Sequence, residues 1–261
     1  MTQANKTVNK ATAEQKPSRY VDCEHCSMQA VCLPIGSENH AIDLTSNYLT
    51  KRIEVSAGRN SSPLLNQVTG VKLFEQAKPL TAIFAVCSGT FKLSQQNEAG
   101  IEKIVGFRFP GELMAEDALF LETYNYSAIA LDDSSVCQVF VAPLSACSKL
   151  APELQQNLIK LLTKQSYVQQ RNTQALIGKK SAECLLAAFL LNICQRYAKY
   201  SGNETQIELT ISRHDIANFL GIRRETLSRI LSKFQQEQLI SIKGKLLVLL
   251  SLNRLKQLAD N

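Results

Sequence analysis

The sequence has no long apolar run. Its longest, Cys184 to Cys194, is eleven residues with Asn192 inside it, against the roughly twenty that a membrane helix needs. A membrane-spanning helix is excluded and no membrane partner is expected. The first nineteen residues are polar and carry no apolar h-region, so no secretory signal is legible and the cytoplasm is the expected location. Histidine is scarce: His25, His40 and His214 lie far apart without evident partners. No paired carboxylates, nucleophile–base set or glycine-rich phosphate loop is present, so no catalytic residue is assigned and an enzyme is not expected. Charge is not lacking, but its excess is modest. Net +6 with 45% apolar residues describes a folded, mildly basic chain, which permits nucleic acid as a partner without establishing it. A length of 261 residues suggests about two domains.

Cysteine, by contrast, is plentiful for a chain expected in a reducing compartment: there are eight. Disulfides are rare in that setting. Cys23, Cys26 and Cys32 fall within ten residues, which points to metal binding or redox chemistry. The Cys-x2-Cys element sets two thiolates on one metal or on adjacent corners of a cluster, and Cys32 supplies a third. On spacing alone, zinc and an iron–sulfur cluster fit equally. Both need a fourth ligand. His25 is poorly placed beside Cys26, so a residue from further along the chain is the better source. Cys87, Cys137, Cys147, Cys184 and Cys194 are scattered, the last two in an apolar helical run that suits buried inert thiols.

The chain divides by pattern. Residues 1–20 read as a mobile tail, 21–36 as a cysteine-rich segment and 37–150 as a β domain. Within it, Leu80–Leu93 is two apolar runs about Ser88-Gly89, Asn97–Gly100 is a turn, and Ser127–Ala130 and Ser135–Ala142 are further strands. Short strands with turns about every ten residues predict an antiparallel barrel or jelly roll. From Pro152 to about Ile177 the period is helical, and residues 151–180 are assigned as a dimerisation helix. A heptad-like seam is read as Leu154, Leu158, Leu161, Gln165, Val168, Asn172 and Ala175. An amphipathic helix packed on its own domain is the competing reading. Residues 181–261 are helical and end in a short β pattern. They hold eleven Lys and Arg against seven Asp and Glu, so most of the positive excess lies there. The fold class is therefore α+β.

The last third carries a second pattern. Ser212-Arg-His-Asp215 is a capping-box variant. A short helix follows, then Gly221, then a helix from near Arg223 or Arg224: a helix-turn-helix. On the second helix Leu227, Ile230, Leu231 and Phe234 form an apolar stripe. Glu225, Ser228, Arg229 and Ser232 lie opposite, with Arg224 at the edge. The first turns of a recognition helix reach base edges. Arg pairs with guanine, and Glu accepts from cytosine N4. Leu239–Val248 reads as a hairpin about Gly244, a wing that presents Lys243 and Lys245 to phosphates.

The run ISRHDIANFLGIRRETLSRILSKFQQEQLISIKGK resembles the DNA-binding domain of the CRP/FNR superfamily of bacterial transcription regulators, with Glu225-Thr-Leu-Ser-Arg229 similar to the FNR branch. CEHCSMQAVC resembles the N-terminal motif of the FNR and Anr oxygen sensors. The resemblance spans about Val21 to Leu258. It implies an N-terminal β jelly roll of the cyclic-nucleotide-binding type, a dimerisation helix and a C-terminal winged helix-turn-helix. It implies an oxygen-responsive regulator that forms a homodimer on double-stranded DNA with TTGAT-like half-sites and works with RNA polymerase. Arg224 departs from the FNR pattern and matches the CRP branch, which leaves the shared GA step as the expected core of the half-site. The resemblance also implies a [4Fe-4S] cluster, with zinc as the alternative. It selects Cys137, in SSVCQVF, as fourth ligand with Cys23, Cys26 and Cys32. Cys87 and Cys147 do not occupy the family's ligand position. Relatives that bind a cyclic nucleotide use an Arg-Ser-Ala segment. Here it reads Tyr126-Ser127-Ala128, beside a retained Gly111-Glu112-Leu113, so no cyclic nucleotide is expected.

Overall fold

In the computed structural model, the residues described are 50–55, 70–140, 152–174, 176–178 and 181–260. The tail, the 21–36 segment with Cys23, Cys26, Cys32 and His25, and also His40 and Cys147, lie outside them.

Among the described residues, eight strands lie in the N-terminal part: β1 (Thr50–Val55), β2 (Lys72–Phe74), β3 (Ala82–Ser88), β4 (Phe91–Gln96), β5 (Glu102–Arg108), β6 (Leu113–Met114), β7 (Ser127–Ala130) and β8 (Ser134–Phe140), with a single-turn helix α1 (Ala118–Leu121) after β6. They pair antiparallel in two sheets, ordered β1-β8-β3-β6 and β2-β7-β4-β5. That order is a jelly roll: the chain alternates between two facing sheets, and its inner residues close one core. Phe74, Phe84, Phe91, Tyr124 and Val136 belong to that core. Phe74 stacks on Phe84 and Tyr124 at ring centroid distances of 5.3 and 4.4 Å.

The turn at Ser88-Gly89 does not close a hairpin. β3 and β4 belong to different sheets, as do β7 and β8 on either side of the Asp132-Asp133 turn. Gly89 takes φ +82°, and a Cβ there would sit 2.0 Å from the Ser134 hydroxyl. The corner between sheets therefore needs glycine. The Asn97–Gly100 turn does close a hairpin, between β4 and β5.

The long helix α2 runs Pro152–Gln174 and α3 runs Ala182–Ser201. A short strand β9 (Gln206–Glu208) precedes α4 (Arg213–Leu220) and α5 (Arg224–Gln236). The hairpin β10 (Ile240–Lys243) and β11 (Leu246–Leu249) joins β9 in a three-stranded sheet. The chain then finishes in a helix, α6 (Leu252–Asp260), and not in the β pattern expected from sequence. Leu255 and Ala259 are buried, and α6 packs on α3.

α2 corrects the seam read from sequence. Leu161 and Gln165 are buried, and Asn172 accepts a hydrogen bond from Asn192 of α3 at 2.9 Å. These three residues face the chain's own body. The side chains of Leu154, Leu158 and Ala175 lie outside the described set. A different row on α2 is exposed: Ile159, Thr163, Ser166, Gln170 and Thr173. Its spacing of four, three, four and three residues is also a heptad seam. Polarity could not separate the two rows; only packing against the jelly roll does.

Candidate functional site

Helix α4 starts as its sequence dictates. The Ser212 hydroxyl accepts from the Asp215 backbone N–H at 3.0 Å and donates to its carboxylate at 2.9 Å. The other Asp215 oxygen takes Lys92 Nζ of β4 at 3.2 Å. α4 ends at Gly221, φ +66°, whose N–H and that of Ile222 close the turn onto Asn218 and Ala217. That left-handed residue redirects the chain into α5.

On α5 the stripe Leu227, Ile230, Leu231 and Phe234 is buried. Arg224, Glu225, Arg229 and Ser232 are exposed, and Ser228 is half-buried. The structure therefore presents the predicted base-reading set on one solvent face, in the first turns of the helix. The wing closes as a two-residue turn, with Lys243 opposite Leu246. Gly244 takes φ +61°, as the first central position of a type II′ hairpin requires. Lys243 and Lys245 are both exposed at its tip. His214 is also exposed.

The helix-turn-helix is fastened to the jelly roll by contacts that sequence reading missed. β5 is the edge of its sheet. Its exposed backbone is met by Asn218, whose amide accepts from the Ile104 N–H at 2.8 Å and donates to the Glu102 carbonyl at 3.0 Å. One side chain thus stands in for a neighbouring strand. Phe107 of β5, Phe189 of α3 and Phe219 of α4 form an aromatic trio with centroids 5.3 to 6.1 Å apart. Arg196 of α3 grips Glu112 through Nε at 2.8 Å and Nη2 at 2.6 Å, and Nη2 also reaches the Phe107 carbonyl. Burial acts to raise the Glu112 pKa, but the charge and hydrogen bonds of Arg196, helped by Arg108, hold it below the usual carboxylate value. Glu112 was legible in the Gly111-Glu112-Leu113 motif, but nothing local tied it to Arg196.

The hydroxyls of Tyr126 and Ser127 have hydrogen-bond partners within the chain. The Tyr126 hydroxyl accepts from the Ala115 N–H at 2.8 Å. Ser127 accepts from the Gln76 N–H at 3.0 Å. The cation nearby, Arg108, has Glu116 at 3.9 Å. Burial holds the Glu116 pKa above its usual value, and its Oε1 takes Gln169 of α2. Glu116 thereby ties the β domain to the long helix.

Of the four cysteines singled out as cluster ligands, the structure describes Cys137. It lies half-buried on β8, opposite Ala85 of β3, with its Sγ 3.3 Å from Sγ of Cys87. A half-exposed soft thiol on a rigid strand fits a thiolate-ligated metal. Among the described residues no group of three or more potential metal ligands occurs. Cys184 and Cys194 are buried, and burial pushes the Cys194 thiol up to about 12, as expected of inert core thiols. No described helix is long and apolar enough to cross a membrane.

Comparison with known proteins matches residues 186–258 to the Crp-like helix-turn-helix domain and residues 68–148 to the cyclic nucleotide-binding domain. Transcriptional regulatory protein btr of Bordetella pertussis is 33% identical over 90% of this chain and 92% of its own. Transcriptional activator protein anr of Pseudomonas aeruginosa is 35% identical over 85% and 86%. The fumarate and nitrate reduction regulatory protein of Escherichia coli is 31% identical over 92% and 91%. Among solved structures, FixK2 of Bradyrhizobium japonicum superposes with a TM-score of 0.66 at 21% identity, over 80% of this chain and 97% of that one.

Proposed function

From the premise that this chain belongs to the CRP/FNR family of DNA-binding transcription regulators, we propose that it is an oxygen-responsive member controlling genes of anaerobic metabolism. The observation that carries the DNA-binding part of the reading is the solvent face of α5. Arg224, Glu225, Ser228 and Arg229 stand together there, opposite a fully buried stripe, beside a wing tipped by Lys243 and Lys245. Arg229 and Arg224 are the guanine readers, Glu225 the acceptor for cytosine N4, and Ser228 a further base contact. The two wing lysines bind phosphates.

In this reading residues 21–36 and 37–150 sense, 151–180 pair two chains, and 181–261 bind DNA and bring the site to RNA polymerase. Cys137, with Cys23, Cys26 and Cys32, holds a [4Fe-4S] cluster. When bound, that group would supply sensitivity to dioxygen. Cys137 does the positioning. Fixed on β8, it anchors the cysteine segment to the jelly roll, which α2 contacts through Gln165, Gln169 and Glu116. The exposed row Ile159, Thr163, Ser166, Gln170 and Thr173 then pairs with its copy. Four of its five positions are polar or small, so the pairing is weak and a modest bias governs it. The Arg108 guanidinium is already matched by the buried Glu116 and is not free to neutralise a cyclic phosphate, which supports a signal other than a cyclic nucleotide.

The test is an absorption spectrum with iron and sulfide assay on anaerobically purified protein, repeated in air, alongside a gel shift on TTGAT-type DNA. A band near roughly 400 nm from about four irons and four sulfides per chain, bleaching in air together with loss of the shifted band, is expected. A colourless protein holding stoichiometric zinc overturns the oxygen reading. Retained binding by Arg229→Ala overturns the assigned contact.

A further inference from the structure

The Cys87–Cys137 pair carries more than a ligand role for one of its members. β3 and β8 pair in register from Ala82 opposite Phe140 to Val86 opposite Val136, and then the ladder slips so that Ser88 faces Ser135. Cys87 is the additional residue of that bulge. A bulge takes its extra residue out of the ladder and re-aims its side chain. Here it brings the Cys87 Sγ to 3.3 Å from the Cys137 Sγ, while directly opposite Cys137 stands Ala85, with only a methyl group. A disulfide needs the sulfurs at about 2.05 Å, so roughly 1.2 Å must close. The two thiols also differ in access: Cys87 is 2% exposed, whereas Cys137 is half-buried. That asymmetry assigns an attacked and a resolving sulfur.

We propose that Cys87 and Cys137 form a reversible dithiol–disulfide couple, a second redox input that competes with cluster ligation. The oxidant class is a low-molecular-weight disulfide. Cys137 thiolate attacks it and forms a mixed disulfide, releasing one small thiolate. Cys87, as thiolate, then attacks the Cys137 sulfur, forming the Cys87–Cys137 bond and releasing the second small thiolate. The two protons given up by the protein thiols end on the released thiolates; the protein is oxidised and the small disulfide reduced. The consequence for sensing rests on the assignment of Cys137 as a cluster ligand. A chain in the disulfide form lacks that thiolate and regains it only through a thiol reductant, so the protein retains a record of oxidising conditions after oxygen has gone.

The experiment treats the full metal-free chain anaerobically with oxidised glutathione, blocks remaining thiols with iodoacetamide and maps peptides by mass spectrometry. The wild type is expected to yield a Cys87–Cys137 linked peptide. Cys87→Ser is expected to yield none and to keep glutathione on Cys137, because the resolving sulfur is gone. A glutathione adduct persisting on Cys137 in the wild type overturns the couple. So does linkage of Cys137 to Cys23, Cys26 or Cys32 in place of Cys87. A parallel arm uses the iron-loaded chain, where ligation is expected to slow linkage at least roughly tenfold. Equal linkage in loaded and metal-free chains removes Cys137 from the ligand set while the couple stands. Absence of linkage in the metal-free chain removes the couple and leaves the ligand set untouched.

Discussion

At the scale of single residues, two positions fasten the jelly roll to α3. Gly111 takes φ +81°, and a Cβ there would fall 1.8 Å from the Tyr200 hydroxyl. Gly111→Ala is expected to cost about 1–2 kcal/mol from the left-handed backbone alone, with Tyr200 displaced as well; denaturant unfolding measures it, and an unchanged midpoint would refute the close approach. The second is Arg196 on Glu112. Removing one partner of a buried pair costs about 3–5 kcal/mol, so Arg196→Met should lower stability by that order at pH 7. Because the folded pKa of Glu112 lies below its ordinary 4.5, the pair's stabilisation is present above that value and is lost as pH falls through the depressed one. The gap between wild type and Arg196→Met should therefore narrow in acid. A gap that is constant with pH would mean that Glu112 is not the group Arg196 holds. At Gly111-Glu112-Leu113 the motif was legible, but its job was not. Glu112 was read by analogy with a nucleotide pocket, and only the fold reveals that its partner is an arginine 84 residues away.

At the scale of elements, α5 and α2 make a contrast. The α5 faces were readable because the buried stripe is uniformly apolar and the opposite face uniformly polar. Phe234 is fully buried at its C-terminal end. Phe234→Ala should cost about 3–5 kcal/mol and unseat the whole recognition face, whereas Arg229→Ala should lose specific binding and leave the unfolding midpoint unchanged. On α2 both candidate rows mix apolar and polar residues. One is consumed by the jelly roll, through buried Leu161 and Gln165. The exposed row should respond to design: Thr163→Leu with Ser166→Leu is expected to give a dimer in air by sedimentation velocity. Gln165→Leu instead removes a buried polar contact beside Glu116 and should destabilise the monomer. A monomer from the first variant, or a stable dimer from the second, would reverse the assignment.

At the scale of the whole molecule, the DNA-binding part is not loosely tethered in this structure. Lys92 on Asp215, Asn218 on β5 and the Phe107–Phe189–Phe219 trio fix α4 against the β2-β7-β4-β5 sheet. In a two-fold dimer, two α5 helices enter successive major grooves about 34 Å apart. Inserting about five base pairs, half a helical turn, between the half-sites should therefore abolish binding in a gel shift, and retained affinity would refute rigid pairing. Wing variants should behave differently. Lys243→Ala and Lys245→Ala should each weaken binding to all sequences. Each should also flatten its salt dependence by about one unit of log–log slope for every phosphate that is no longer neutralised. A sequence-selective loss would move those lysines to base edges.

The sequence by itself determined whatever is written in local periods and short spacings. It showed the α+β succession, the β runs and their turns, the span of α2, the cap at Ser212, the glycine turn at Gly221 and the recognition face of α5. Each depends on residues within about two helical turns of one another, where backbone geometry alone fixes which side chains share a face. Tertiary structure decided the rest. It chose the sheet to which each strand belongs, so that Ser88-Gly89 became a corner between sheets and not a hairpin. It turned the C-terminal stretch into a helix because α3 offered an apolar surface to cover. It selected which heptad row of α2 stays exposed, joined Arg196 to Glu112 and Asn218 to an open strand edge, and set Cys87 beside Cys137 through a one-residue bulge. These contacts cross 20 to 116 positions of chain, and no local pattern encodes a partner at that distance.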